Sequence, residues 1–231
     1  MLVIITGASK GIGFELMKKF SKTDFLVLAV SRNTKSIEAC MKKNNYTNVM
    51  PVSADISSKK GLDKIVKLCK QLNKPVSILV NNAGLLISKP FKKITEKELT
   101  AIYSTNVFAP YLLTQALLPF MGKKVGTHIV NISSMGGVQG SAKFAGLSAY
   151  SSSKAALCGI TECLAEEFKG TTISVNCLAL GAVQTEMLQK AFPGYKAPLK
   201  ASEMAEFVFM FAQEGQKYHN GKIIPVSLST P

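Results

Sequence analysis

The chain has 231 residues, of which 47% are hydrophobic and 18% charged, and it carries a formal net charge of +14. That length suits one large α/β domain or two small ones with a substantial core, and so apolar a balance excludes intrinsic disorder. No segment reaches the roughly 18 to 20 uncharged apolar residues needed to cross a bilayer.

In chain order, short apolar runs rich in β-branched residues at 2–6, 25–30, 49–52, 78–80, 128–132, 174–178 and 223–226 predict strands. Amphipathic stretches near 12–22, 35–43, 59–72, 96–121, 150–168 and 201–213 predict helices between them. The alternation points to an α/β fold: a parallel sheet with helices on both faces, doubly wound by right-handed crossovers. No internal repeat or linker interrupts it, so one domain over residues 1–231 is expected. The first run has no basic leader and no small-residue cleavage site before Gly7. It reads as a strand and not as a signal peptide, which makes the cytoplasm the expected location. Two stretches break the rhythm. Residues 135–149 carry separated glycines and little periodicity, and 186–200 contain Phe192-Pro193-Gly194 and Pro198, which interrupt any long helix. Ligands bind beyond the carboxyl ends of such strands, where loops gather, so both stretches are expected to meet substrate.

Of the 28 basic residues, 27 are lysines and one is Arg32. The lysines, among them Lys18, Lys19, Lys42, Lys43, Lys64 and Lys67, fall mostly on predicted outer helix faces with no aromatic-interleaved basic run. That pattern favours a solvated surface over a nucleic-acid site. The five cysteines form no CxxC pair, and His128 and His219 lie far apart. No metal site is expected, and the thiols read as buried and reduced.

The first predicted strand runs into Thr6-Gly-Ala-Ser-Lys-Gly-Ile-Gly13. Glycines at 7, 11 and 13 remove side chains where the backbone turns sharply and approaches an anion, and the following helix aims unpaired N–H groups at a phosphate. The second strand ends in Ser31-Arg32, with no carboxylate to receive ribose hydroxyls. A guanidinium there suits a phosphate, and Lys10 supplies a second cation. Tyr150 and Lys154 stand four apart on a predicted helix and share one face. A phenol with a pKa of about 10 is a poor base at neutral pH, but a nearby cation favours its phenolate. Such a pair can exchange a proton with a bound oxygen, although a bare Tyr-x-x-x-Lys spacing is common on helix surfaces and means little by itself. Ser134, just beyond the run at 128–132, offers a hydroxyl to hold that oxygen, with Ser133 as the neighbouring candidate.

Together, TGASKGIG at 6–13, Asn81-Asn-Ala-Gly84, Asn106, Ser134 and Tyr150-Ser-Ser-Ser-Lys154 resemble the short-chain dehydrogenase/reductase family over nearly the whole chain. The resemblance implies a Rossmann-like seven-stranded parallel sheet, with a cofactor half at about 1–125 and a catalytic and substrate half at about 126–231. It implies an NADP(H)-dependent oxidoreductase that interconverts a small carbonyl and its alcohol, with Asn106, Ser134, Tyr150 and Lys154 catalytic. Gly7, Ser9, Lys10, Gly11, Ile12, Gly13 and Arg32 would hold the cofactor's phosphates, and Asp55 and Ile56 its adenine. Asn82, Ala83 and Gly84 fall at its central part, with Tyr150 and Lys154 also on the cofactor side, and Val183 and Thr185 at the nicotinamide carboxamide. A homodimer or homotetramer would form on the helices around 104–121 and 150–168. There Tyr111, Leu112, Leu113, Leu157, Ile160 and Leu164 exceed a single apolar stripe. No membrane or nucleic-acid partner is expected.

Three departures from the family pattern bear on the substrate side. Leu180 stands before Gly181 where proline is usual, and Ser-Leu-Ser-Thr-Pro follows the last strand in place of Asp-Gly-Gly. The stretch from Ser134 to Tyr150 is long and the segment after Thr185 short, so an enlarged loop beside an open pocket is expected. Two other functions compete. One is reduction of a ketoacyl group on an acidic carrier protein, which the basic surface would recruit. The other is a non-catalytic dinucleotide sensor or nucleic-acid-binding module, against which the complete Asn106, Ser134, Tyr150 and Lys154 set argues.

Overall fold

A computed structural model describes residues 1–122 and 125–228, so the last three residues of the Ser-Leu-Ser-Thr-Pro tail lie outside it. The sheet strands are β1 (Leu2–Thr6), β2 (Leu26–Ser31), β3 (Val49–Ser53), β4 (Val76–Asn81), β5 (Thr127–Ser134), β6 (Ile173–Leu180) and β7 (Ile223–Val226). They lie in the order β3-β2-β1-β4-β5-β6-β7, and every pairing is parallel. This is the expected Rossmann-like sheet. Along β1, Val3 and Ile5 enter the core on one face, while Leu2 and Ile4 enter that on the other. With both faces covered, the strands read as continuous apolar runs without polar alternation.

Helices α1 (Gly11–Phe20), α2 (Lys35–Asn44) and α8 (Ala201–Glu214) cover the first face. Phe20 of α1 meets Phe209 of α8 edge-on, with ring centroids 4.8 Å apart. On the second face lie α3 (Lys59–Leu72), α5 (Ala109–Leu117) and α6 (Ser148–Glu167). The helix expected over 96–121 is instead α4 (Glu96–Tyr103), a π-helical segment Ser104–Phe108, and then α5. Pro110 has no N–H to offer the carbonyl four residues back, that of Asn106, and the helix widens there, as π-turns at functional sites do. A short α7 (Glu186–Ala191) begins at Thr185, whose hydroxyl accepts from Leu188 N at 3.2 Å, and ends before Phe192-Pro193. Val183–Gln184 pairs in parallel with Leu199–Lys200, closing this excursion. Leu180 keeps its place in β6, and Gly181 N donates to Val226 O at 2.9 Å.

Three of the surplus apolar residues, Leu113, Leu157 and Leu164, belong to the interior, and Ile160 is half-buried. Tyr111 and Leu112 are exposed, together with Phe108, on the α5 side. The cysteines are free, but only Cys69, Cys158 and Cys177 are buried; Cys163 is exposed. Among the described residues, no helix is long and apolar enough to cross a membrane. Lys154 is the one buried lysine among them, at 3% exposure.

Candidate active site

The cofactor end is built where β1 and β4 part, the switch point at which open parallel sheets bind ligands. Thr6 Oγ1 accepts from Asn82 N and Ala83 N, both at 3.0 Å. Asn82 Nδ2 donates to Thr6 O at 2.8 Å and to Gly7 O at 3.3 Å. These bonds tie the glycine loop to the end of β4. Gly7 has φ +69°, and a Cβ on Gly13 would fall 2.5 Å from Gly7 O, so the first turn of α1 packs on the loop only because both lack side chains.

A groove of about 310 Å³ runs from this loop to Tyr150. It is lined by Gly7, Ser9, Lys10, Gly11, Ile12, Arg32, Asp55, Ile56, Asn82, Ala83, Gly84, Ser134, Tyr150, Lys154, Val183 and Thr185. Gly13 and Asn106 stand behind the lining. Thr6 escaped the sequence reading as a site residue, although a hydroxyl closing the strand before the glycine loop was a legible signal. Asp55 Oδ1 accepts from Ser57 N at 3.0 Å and Ser57 Oγ at 2.7 Å. That hydrogen bonding, helped by the Arg32 charge, holds its carboxyl below the usual range. Lys10 also pairs across the chain: its Nζ donates to Glu186 Oε2 on α7 at 2.7 Å, so its charge is shared with a carboxylate. The two residues are 176 apart in sequence, and only the fold brings them together.

At the other end, Ser134 closes β5, and its side chain accepts from Gly136 N at 3.3 Å and hydrogen-bonds Tyr150. Ser133 points the opposite way and donates to Lys154 O at 2.8 Å. Lys154 Nζ donates to Ile132 O at 2.7 Å and lies 5.9 Å from the centre of the Tyr150 ring. These bonds clamp α6 to the end of β5. Asn106 Oδ1 accepts from Leu85 N at 2.7 Å, while its Nδ2 donates to Leu85 O and Ser153 Oγ, both at 2.9 Å. A Cβ on Gly84 would lie 3.5 Å from Lys154 Nζ and 3.6 Å from Asn106 Oδ1, so glycine leaves the space between them open.

The electrostatics depart from a simple cation-lowers-phenol picture. Desolvation pushes the Tyr150 phenol up to about 12, and the Ser134 hydrogen bond recovers only part of that. Burial also brings Lys154 down to about 8, offset in part by the Cys177 and Cys158 thiols. Loss of water costs the phenolate more than these neighbours return. In the protein alone, Tyr150 is therefore held as a proton donor.

Residues 1–196 match the family model described as short chain dehydrogenase. The chain belongs to the short-chain dehydrogenase family. It is an oxidoreductase of the CH–OH group with a nicotinamide dinucleotide as hydride carrier. The ketoacyl reductase HetN of Nostoc sp. is 32% identical over 80% of this chain, which spans 64% of that relative's length. Among solved structures, ElxO with NADP bound is 27% identical at a TM-score of 0.85, covering 97% of this chain and 96% of that one. The 3-ketoacyl-(acyl-carrier-protein) reductase of Brucella melitensis, complexed with NADH, is 26% identical at a TM-score of 0.87, covering 97% and 96%.

Proposed function

We propose that this short-chain dehydrogenase is an NADPH-dependent reductase of small ketones or aldehydes. The observation that carries the reading is Lys154, the one buried lysine among the described residues, clamped beside Tyr150 and Ser134 at the end of the groove. A buried ammonium is costly and is kept where its charge acts. The groove suits a dinucleotide: it runs unbroken from the glycine loop past Arg32 and Asp55 to Tyr150, and the bare Gly7 and Gly13 let the first turn of α1 pack against that loop and aim its N–H groups at a phosphate. Bound there, a nicotinamide dinucleotide supplies the hydride. Ser134 and Tyr150 hydrogen-bond the carbonyl oxygen, and Tyr150 gives that oxygen its proton as negative charge grows on it. Lys154 stabilises the phenolate left behind. Asn106 acts as a positioning residue, fixing Leu85 and Ser153 around Lys154.

NADPH over NADH rests on Arg32 in the groove wall and on the absence of a carboxylate at Ser31. We further propose a single domain located in the cytoplasm, where the free thiols suit a reducing compartment. Its homodimer would form through the exposed Phe108, Tyr111 and Leu112. Light scattering that finds only monomer at micromolar concentration contradicts the dimer.

The function is tested by NADPH oxidation with diketones, aromatic aldehydes, pterins and acyl thioesters. Tyr150→Phe should lower turnover on the best substrate by a factor on the order of 10² to 10⁴. Near-normal turnover of that variant overturns the mechanism. The ketoacyl reductase relatives favour a second reading, reduction of carrier-bound ketoacyl groups, which a strong preference for the thioesters would establish.

A further inference from the structure

A second cavity of about 80 Å³ adjoins the groove at Ser134 and Tyr150 and contains none of the glycine-loop residues. A cavity of roughly 10–15 Å³ admits one water, so this one takes a substituent of several heavy atoms. Among the described residues, no Asp, Glu, Lys, Arg or His lines it; its polar side chains are the hydroxyls of Ser134, Tyr150 and Ser151.

Two phenylalanines from separate segments meet at its wall. Phe144 comes from the long loop before α6 and Phe192 from the end of α7, and their rings stand edge to face with centroids 5.1 Å apart at 79°. The short segment after Thr185 therefore reaches across to the enlarged loop, and the two rings together wall this side of the pocket. Both anchors are held by backbone bonds. Phe192 N donates to Leu188 O at 2.8 Å, and Phe144 O accepts from Leu147 N at 3.2 Å. Neither ring belongs to the two cores that stabilise the sheet, and both are only half-buried. Their unspent apolar surface faces a cavity that begins at the proton-donating phenol.

We propose, resting on the reductase reading, that Phe144 and Phe192 wall a subsite for a neutral alkyl or aryl substituent of the carbonyl substrate. The subsite selects neutral ketones over those with an anionic group at that end. An apolar group there shields the ring surfaces from water. A carboxylate would be stripped of water among side chains that offer no counter-charge.

The test measures calorimetric binding of acetophenone and para-acetylbenzoate to the protein saturated with NADP⁺, which needs no turnover. Acetophenone should bind at least about tenfold more tightly. Phe192→Ala should weaken acetophenone by about tenfold, with NADP⁺ affinity unchanged, while Phe192→Leu, which keeps apolar bulk, should weaken it less. Should the alanine variant fail to fold, the leucine variant and the two-ligand comparison still decide. Equal or tighter binding of para-acetylbenzoate, or indifference of acetophenone binding to both Phe192 variants, overturns the subsite. If NADPH is oxidised but the preference is absent, the subsite alone falls. If the preference is present but no carbonyl is reduced, the reductase reading alone falls.

Discussion

Gly137 is where the chain leaving β5 presses on α6, and replacing it with alanine tests how tightly that helix is held. A Cβ there would lie 2.7 Å from Lys154 C, 2.8 Å from Ala155 N and 2.9 Å from Lys154 Cβ. Ordinary contact begins near 3.4 Å, so the α6 backbone must retreat by about 0.7 Å at Lys154. No flexible side-chain tip can yield in its place. The retreat pulls on the Lys154 Nζ to Ile132 O bond and on the Ser133 to Lys154 O bond, 2.7 and 2.8 Å long. Overpacking of this kind costs about 1–3 kcal/mol, which in a domain of this size lowers Tm by about 2 to 12 °C. Displacing a reacting group by about 1 Å costs up to about 10²-fold, so kcat for the proposed NADPH-dependent reduction should fall by about 10- to 100-fold. Gly159→Ala on the same helix is the control, since among the described residues nothing lies within 4 Å of its added Cβ. It should raise stability by about 0.5–1 kcal/mol through helix propensity. Steady-state kinetics and thermal melting read both variants. If Gly137→Ala keeps kcat within about twofold and melts like the parent, the clamp does not set the geometry of Lys154.

Two further predictions concern charge. Arg32→Ala combined with Ser31→Asp should turn the cofactor preference toward NADH. The loss of one charge-assisted bond alone lowers the NADPH to NADH ratio of kcat/KM by roughly 10- to 100-fold, and an unchanged ratio at fixed ionic strength excludes Arg32 from cofactor choice. His128 is buried between Ala212 O at 3.0 Å and Asn176 Nδ2 at 3.0 Å, and desolvation depresses its pKa to about 4. Its folded pKa lies below the unfolded value, so the unfolded chain binds the extra proton, and stability falls as pH drops from about 6.5 to 4. The contribution is about 3 kcal/mol. Urea melts of the parent and His128→Gln should therefore converge toward pH 4, and parallel pH dependences would contradict this.

The seven strands were legible because apolar runs buried on both faces carry their own signature, and the observed ends fall within two residues of the expected ones. The glycine loop and the Tyr150–Lys154 pair were legible for a similar reason. A left-handed glycine and an i,i+4 spacing are local properties that neighbouring residues determine by themselves. The helix break at Ser104–Phe108 was marked by Pro110, yet periodicity continues through it and hides it. What the sequence alone left open involves partners far apart in the chain. Thr6 bracing Asn82, Lys10 turned toward Glu186, Ser133 clamping Lys154 and Phe144 meeting Phe192 all depend on loops from different strands converging at one sheet edge. The phenol's raised pKa belongs with them, because it follows from the exclusion of water, and only the assembled groove excludes it.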